Sequence, residues 1–136
     1  MAYLSEHCAF AHLTEDLAAR LQGFSCEQEP AIAAFFREEA VLNERQLLSK
    51  SYCFYLPDTM EAVCAFCVSN SNISTRAMPA DIKEDFVADI PDDKRRSFYP
   101  ATLIGQLAVF DKFRSEHVGD EFLSLIKEWV MTEASQ

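Results

Sequence analysis

Residues 99–123 read YPATLIGQLAVFDKFRSEHVGDEFL, and this stretch decides the fold. The nearly continuous apolar run that ends at Phe110 predicts a strand, and the apolar residues from Val118 onward recur at helical spacing. Arg114 and Gly119 lie between the two elements. Because a helix N-terminus presents free N–H groups and a partial positive charge, a strand–loop–helix unit of this kind can bind an anion such as phosphate.

The same junction has a simpler interpretation as a loop that only starts a helix. Many strand-to-helix loops contain a glycine, so Gly119 alone does not identify a phosphate site. Asp120 and Glu121 would stabilise the helix dipole without any ligand. From these residues alone, both interpretations stay open.

The rest of the chain alternates between helical and strand patterns. Thr14 is the expected N-cap of a helix that ends near Gly23, and Pro30 is expected to open a helix that runs to about Leu48. The other expected elements are a first strand within 3–12, a hairpin of strands 50–56 and 61–73, a short helix within 78–98, a strand over 99–110 buried on both faces, and a last helix over 118–130. The order β-α-α-β-β-(α)-β-α predicts one α+β domain over residues 1–136, with helices on the faces of a sheet.

Composition narrows the class of protein. The 136 residues are 49% hydrophobic and carry a net charge of −10, which suits a folded domain and argues against nucleic acid as the default partner. The only basic cluster is Lys94-Arg95-Arg96. The N-terminus lacks a secretory signal and no apolar run is long enough to span a membrane, so we expect a cytoplasmic protein with reduced thiols.

Three clusters resemble metal sites, and for each the sequence favours a structural role. Cys64 and Cys67 lie inside one apolar strand, where residues three apart point to opposite faces. His7, Cys8 and His12 lack a recognisable fourth ligand. The acidic run Glu84, Asp85, Asp89, Asp92 and Asp93 lacks calcium-loop spacing and reads as a solvated face. The sequence therefore predicts no metal site.

Residues 99–129 resemble the acetyl-CoA-binding core of the GNAT superfamily of N-acetyltransferases. Leu107-Ala108-Val109 match the family's strand end, and Arg114 and Gly119 match the first and last positions of its Q/R-x-x-G-x-G/A loop. The segments 24–40 and 51–74 resemble the second helix and the hairpin of the small branch that includes the acetyltransferase toxins.

The resemblance implies a mostly antiparallel GNAT-like sheet flanked by helices, with acetyl-CoA as the acyl donor. It implies that Leu107, Ala108 and Val109 pair with the pantetheine arm. It also implies that the pyrophosphate is held by the loop and helix start, namely Arg114, Ser115, Glu116, His117, Val118 and Gly119. The chemistry would be direct attack of an amine on the thioester, aided mainly by positioning and polarisation. No catalytic base or acid is assigned.

Two departures from the family pattern qualify this interpretation. His117 replaces the first loop glycine and Glu116 adds a negative charge, so we expect weakened binding. Nothing after the last helix resembles the family's closing strands and helix, so we expect a domain truncated after the CoA motif and incomplete for catalysis on its own. The strand edge at 101–110 would then be open, and we expect a second chain to cover it as a homodimer.

The leading hypothesis is an acyl-CoA N-acyltransferase, or the N-terminal fragment of one, that transfers acetyl to an amine. The toxin-like branch suggests an aminoacyl-tRNA acceptor, but the charge of −10 argues against it and leaves small amines and protein amines open. The alternative is a non-catalytic GNAT-like remnant that serves as a dimerising or partner-binding module. A small acidic inhibitor is supported by the charge alone.

Overall fold

In the computed structural model, residues 2–46, 48–92, 95 and 98–134 are described. The helices and strands are α1 (Tyr3–His7), β1 (Ala9–His12), α2 (Glu15–Arg20), α3 (Pro30–Ala34), a π-helical turn (Phe35–Glu39), α4 (Ala40–Arg45), β2 (Lys50–Leu56), β3 (Glu61–Ser74), α5 (Ala80–Val87), β4 (Phe98–Val109) and α6 (Gly119–Ala134). Short 3₁₀ turns span Thr75–Ala77 and Asp111–Glu116. The expected α+β class is confirmed.

The four strands form one sheet in the order β1-β2-β3-β4. β1 pairs antiparallel with β2, placing Phe10 opposite Phe54, and β2 pairs antiparallel with β3, placing Cys53 opposite Ala65. The N–H of Phe110 donates to the carbonyl of Val63 at 2.9 Å. The predicted hairpin is therefore present, and β4 follows it as the last strand in the sheet order.

A β-bulge lies in β3 at Val63. Phe54 pairs with Cys64 but Tyr55 pairs with Ala62, so Val63 is an extra residue in the ladder. As a consequence Val63 and Cys64, although adjacent, both lie in the same hydrophobic cluster. The Val63 carbonyl is the acceptor for Phe110, so the bulge lies where β4 ends.

One face of the sheet packs against α2, α3 and the π-helical turn. Its buried cluster is Leu13, Leu17, Leu21, Phe24, Phe35, Phe36, Ala40, Cys53, Ala62, Ala65, Cys67, Ala108 and Phe110. Small side chains on β3 leave room for the aromatic rings, and Phe110 meets Phe24 and Phe36 edge-on with ring centroids 5.3 and 6.3 Å apart.

The opposite face packs against α1 and α6. Its buried cluster is Leu4, Phe54, Val63, Cys64, Phe66, Phe113, Val118, Phe122 and Ile126. Cys64 and Cys67 fall into different clusters, as the strand alternation predicted. All five cysteines are free thiols. Burial raises the pKa of the Cys53 thiol to about 12.

Glu121, in the first turn of α6, holds α1 in place. Its carboxylate accepts the N–H groups of Leu4 at 2.8 Å and Ser5 at 3.1 Å, and the Ser5 hydroxyl at 3.0 Å. Glu121 was expected to stabilise the dipole of its own helix, but its carboxylate binds the start of α1. Burial raises the pKa of the Glu121 carboxyl, but these three donors outweigh it, so the pKa lies below its ordinary value.

Several local predictions are confirmed. The Thr14 hydroxyl accepts the N–H of Leu17 at 3.1 Å and caps α2. Pro30 occupies the first turn of α3. The expected helix from Pro30 is divided by the π-helical turn and ends at Arg45. The first strand is shorter than expected, because residues Tyr3–His7 form α1.

The prediction that the 99–110 strand is buried on both faces is wrong. Leu103, Ile104 and Leu107 are 51%, 40% and 38% exposed, whereas Ala108 is 6% exposed. An apolar run does not distinguish a strand between two neighbours from an apolar strand at the edge of a sheet. Among the described strands, β4 is an apolar strand at the edge of the sheet.

Residues 70–103 form a separate compact unit, and residues 1–69 with 104–136 form the other. The smaller unit contains α5, which confirms the expected short helix. No helix among the described residues is long and apolar enough to cross a membrane. That the whole chain is a single domain stays a prediction.

The Glu121 contacts predict a pH-dependent stability. A carboxyl whose pKa is lowered by folding stabilises the protein above its unfolded pKa, and this is lost as pH falls through the folded pKa. We expect Glu121→Gln to lower the free energy of unfolding by about 1 kcal/mol at about pH 7, and by much less below about pH 4. Urea unfolding across this range measures it. Glu128→Gln removes the same charge from an exposed position of α6, so an equal effect there would contradict the assignment.

Candidate functional site

The candidate site begins where β4 leaves the sheet. Phe110 is bonded to β3 through its N–H, and strand alternation therefore places the backbone groups of Leu107 and Val109 on the outer edge. The chain then turns through a 3₁₀ segment, Asp111–Glu116, which we call the 111–116 turn. Phe113 and Val118 anchor the turn because both side chains are buried against the α6 face of the sheet.

His117 ends this turn in a left-handed conformation. Its φ is +54° and its N–H donates to the carbonyl of Arg114 at 3.3 Å. Glycine adopts this conformation without strain, whereas a residue with a Cβ adopts it at some energetic cost. The position is the one that the resemblance aligned with the first loop glycine. The backbone thus keeps a glycine-like conformation although the side chain is different.

The start of α6 has no side-chain cap from its own N-cap residue. The first helical bond runs from the N–H of Phe122 to the carbonyl of Val118 at 2.8 Å, so Val118 is the N-cap, and valine has no hydrogen-bond acceptor in its side chain. By helix geometry, the N–H groups of Gly119, Asp120 and Glu121 have no acceptor within α6. This is the arrangement in which a helix start accepts an external anion.

Gly119 faces open space. Among the described residues, a Cβ placed on it would meet no heavy atom within 4 Å beyond its chain neighbours and its own helix backbone, and its φ is not in the left-handed region. The fold itself therefore gives no steric reason for glycine at this position. A close approach by a ligand would be such a reason.

Arg114 lies beside the helix start, but its side chain is engaged elsewhere. Its guanidinium donates to the Gln28 side-chain oxygen at 2.8 Å and the Cys26 sulfur at 3.0 Å, and lies 3.4 Å from the Asp111 carboxylate. Lys112 pairs with Glu61, whose carboxyl pKa is lowered by that hydrogen bond. The cations nearest the turn thus already contact protein groups.

The remaining metal and nucleic-acid candidates can be followed only where the structure describes them. Among the described residues, no group of three or more His, Cys, Asp or Glu side chains is placed to hold a metal ion. His12 is instead bonded to Glu44 at 2.5 Å, and His7 lies 3.9 Å from Glu6. Arg95 contacts Asp92 and the Ile90 carbonyl. Asp93, Lys94 and Arg96 lie outside the described residues.

Two features were not predicted from the sequence. One is a cavity of about 330 Å³ lined by Phe10, Phe54, Phe66, Leu125, Ile126, Glu128, Trp129 and Thr132. The other is the set of contacts between the 111–116 turn and residues 25–28, which are 84 to 88 positions away in sequence. Neither has a local sequence signature, because each depends on elements that only meet in the folded chain.

No protein-family model and no curated protein sequence matches this chain. Several solved structures match it. A mutant of KacT matches with a TM-score of 0.75 and 16% identity over 96% of this chain and 73% of KacT. AtaT complexed with acetyl-methionyl-tRNAfMet matches at 0.70 and 20% identity, over 94% of this chain and 71% of AtaT. AtaTR bound with AcCoA matches at 0.68 and 18% identity, over 94% and 70%.

At these identities the likeness shows the fold. The expected GNAT-like sheet with flanking helices is confirmed. The chain spans about seven-tenths of the length of each of these three structures. The individual site residues, from Leu107 to Gly119, stay predictions.

The left-handed backbone at His117 predicts that glycine is better than alanine there. We expect His117→Gly to raise the free energy of unfolding relative to His117→Ala by about 1 kcal/mol, because relief of backbone strain exceeds the added entropy of the unfolded chain. Since the His117 side chain is exposed, little packing changes in either variant. Denaturant unfolding of both variants measures the difference. An alanine variant as stable as the glycine variant would contradict the assigned conformation.

Proposed function

We propose that this chain binds acetyl-CoA along the outer edge of β4 and at the start of α6, and that it belongs to an acyl-CoA N-acyltransferase that transfers acetyl to an amine. The observation that carries the proposal is the start of α6, whose N-cap Val118 has no acceptor side chain, beside an unobstructed Gly119 and close after an edge strand. The shared fold with AtaTR, solved with AcCoA bound, supports the choice of ligand.

The two ends of the ligand suit different parts of this segment. The outward backbone groups of Leu107 and Val109 can pair with the two amides of a pantetheine arm, as a neighbouring strand would. The N–H groups at Gly119 and Asp120 point from a helix start and suit the pyrophosphate. Ser115, Glu116 and His117 form the approach between them. The buried neighbour Ala108 supports the strand from the core side.

The reaction that this arrangement serves is aminolysis of a thioester. A neutral amine attacks the acetyl carbonyl, an N–C bond forms, the C–S bond breaks, and the amine proton ends on the released thiol. The chain contributes the fixed position of the donor, which lowers the entropic part of the barrier. His117 is exposed at the turn and we assign it no catalytic role.

Local charge sets the expected strength of binding. Glu116 and Asp120 are exposed carboxylates next to the proposed pyrophosphate position, and Arg114 is engaged with residues 26 and 28. Repulsion at an exposed surface is modest and is screened by salt. We therefore expect measurable but weak binding of acetyl-CoA, with an affinity that increases as ionic strength rises.

For the acceptor we propose a small amine or a protein amine. AtaT has been solved complexed with acetyl-methionyl-tRNAfMet, and KacTA with DNA. This chain has a net charge of −10, which opposes association with nucleic acid unless a local basic surface offsets it. A charge-neutral or cationic amine faces no such opposition.

A second candidate function is a dimerising module. Ile104 and Leu107 are exposed on β4, an edge strand that could pair with the same strand of a second copy. This would make the chain a non-catalytic relative that keeps the fold. The exposed apolar side chains favour it, because the coenzyme arm alone would cover only part of the strand.

Calorimetric titration with acetyl-CoA tests the first proposal. We expect saturable binding by the chain and a loss of affinity of about tenfold or more in Gly119→Leu, because the added side chain fills the approach to the helix start. His117→Gly should bind more tightly than the parent chain.

Ser124→Leu is the control, since it places the same leucine side chain at an exposed position about one and a half turns further along α6. Thermal unfolding of both leucine variants should remain close to that of the parent chain. Absence of binding to the parent chain at millimolar coenzyme, or equal loss in both variants, would contradict the site.

Light scattering coupled to size-exclusion chromatography tests the second candidate. We expect a mass that rises toward twice the monomer with concentration, and a return to monomer in Ile104→Glu, because a charge on the edge strand opposes strand pairing. A monomeric mass at every concentration would rule out a dimer through this edge.

A further inference from the structure

We propose that Asp111 and Arg114 are positioning residues that latch residues Ser25–Gln28 to the 111–116 turn, so that acetyl-CoA binding and the order of this segment are coupled. The inference rests on the proposed coenzyme site and extends it to a second segment of the chain. Ser25–Gln28 lie between α2 and α3, and we call them the 25–28 segment.

Asp111 forms the first half of the latch. Its carboxylate accepts the Ser25 hydroxyl at 2.9 Å and the N–H of Glu27 at 3.0 and 3.2 Å. The N–H of Asp111 donates to the Ser25 carbonyl at 2.8 Å. Both the backbone and the side chain of one residue thus bind the same short segment. Such paired contacts fix orientation as well as distance.

Arg114 forms the second half. One terminal nitrogen donates to the Gln28 side-chain oxygen at 2.8 Å, the other donates to the Cys26 sulfur at 3.0 Å, and the Nε lies 3.4 Å from Asp111. The planar fork reaches two residues of the segment and the other latch residue at once. A lysine ammonium, a single point of charge, could not do so in the same geometry.

The latch is connected to the proposed coenzyme site through the turn itself. Arg114 accepts the N–H of His117 at its carbonyl, and the next residue, Val118, is the N-cap of α6. A displacement of the turn therefore displaces the helix start whose N–H groups would hold the pyrophosphate. Conversely, a ligand that fixes the helix start also fixes the turn and, through it, the 25–28 segment.

For Asp111, a purely electrostatic role and a latch role predict opposite changes in coenzyme affinity. If this carboxylate acted only as a negative charge near an anionic ligand, Asp111→Asn would strengthen coenzyme binding. If it acts as a latch, the same variant weakens binding, because an amide has one acceptor oxygen in place of the two that receive the Ser25 hydroxyl and the Glu27 N–H. For Arg114, a pure charge role predicts that Arg114→Lys keeps the affinity, whereas the latch predicts that it loses affinity.

Cys26 provides a readout of the latch that needs no coenzyme. Its residue is 5% exposed, and its sulfur accepts a hydrogen bond from Arg114. Opening of the 25–28 segment would expose it to an alkylating reagent. Cys53 and Cys64, both 0% exposed in the core, report global unfolding in the same sample.

The experiment combines two measurements on the parent chain, Asp111→Asn and Arg114→Lys. Calorimetry gives the Kd for acetyl-CoA, and mass spectrometry follows iodoacetamide alkylation of each cysteine in the native protein. We expect both variants to raise the Kd by about fivefold or more, and to speed alkylation of Cys26 but not of Cys53 and Cys64. In the parent chain, acetyl-CoA should slow alkylation of Cys26. Asp120→Asn removes a neighbouring charge from α6 and should lower the Kd.

The outcomes separate the latch from the coenzyme site. Unchanged or tighter binding together with unchanged Cys26 alkylation in both variants would overturn the latch. Absence of coenzyme binding by the parent chain would overturn the proposed function and the coupling, while Cys26 alkylation still shows whether Asp111 and Arg114 hold the segment. If Asp111→Asn also exposes Cys53, Gln28→Ala replaces it, since it removes one partner of Arg114 at an exposed position.

Discussion

The structure depends on the burial of β3 on both faces. From Ala62 to Cys67 every side chain of this strand is buried. Apart from Val63 and Cys64 at the bulge, successive residues enter two separate hydrophobic clusters in alternation. Ala62, Ala65 and Cys67 face α2 and the π-helical turn, where large rings fill the space. Val63, Cys64 and Phe66 face α6. Because one strand contributes to both clusters, a change of register would exchange the two faces and disrupt both.

The bulge at Val63 and the position of β4 follow from this arrangement. Val63 is the extra residue in the β2–β3 ladder, and its carbonyl binds the N–H of Phe110. Phe110 is fully buried and packs against Phe24 and Phe36. The chain is therefore held at the point where it leaves the sheet, and the 111–116 turn and the start of α6 follow from a fixed origin. A binding surface made of backbone groups requires this rigidity, because it has no long side chains that could adjust.

The proposed site is built mainly from main-chain geometry. A left-handed residue at His117, an apolar N-cap at Val118 and an unobstructed Gly119 together leave N–H groups directed outward. Two side chains near this site contact other parts of the chain. Arg114, which the resemblance placed at the pyrophosphate, binds residues 26 and 28. Glu121, which was expected to stabilise its own helix dipole, binds the start of α1. A conservative change in these side chains would therefore act on packing and position before it acts on charge.

The sequence by itself determined the element types outside Tyr3–His7, the Thr14 cap, the Pro30 helix start, the hairpin and the opposite faces of Cys64 and Cys67. These follow from local periodicity and capping chemistry, which involve residues a few positions apart. Only the tertiary structure decided that apolar side chains of β4 are exposed, that Glu121 holds α1, and that Asp111 and Arg114 bind residues 25–28. The reason is that burial and long-range hydrogen bonds depend on which segments meet after folding, and an apolar run or a charged residue carries the same local signal whichever partner it finds.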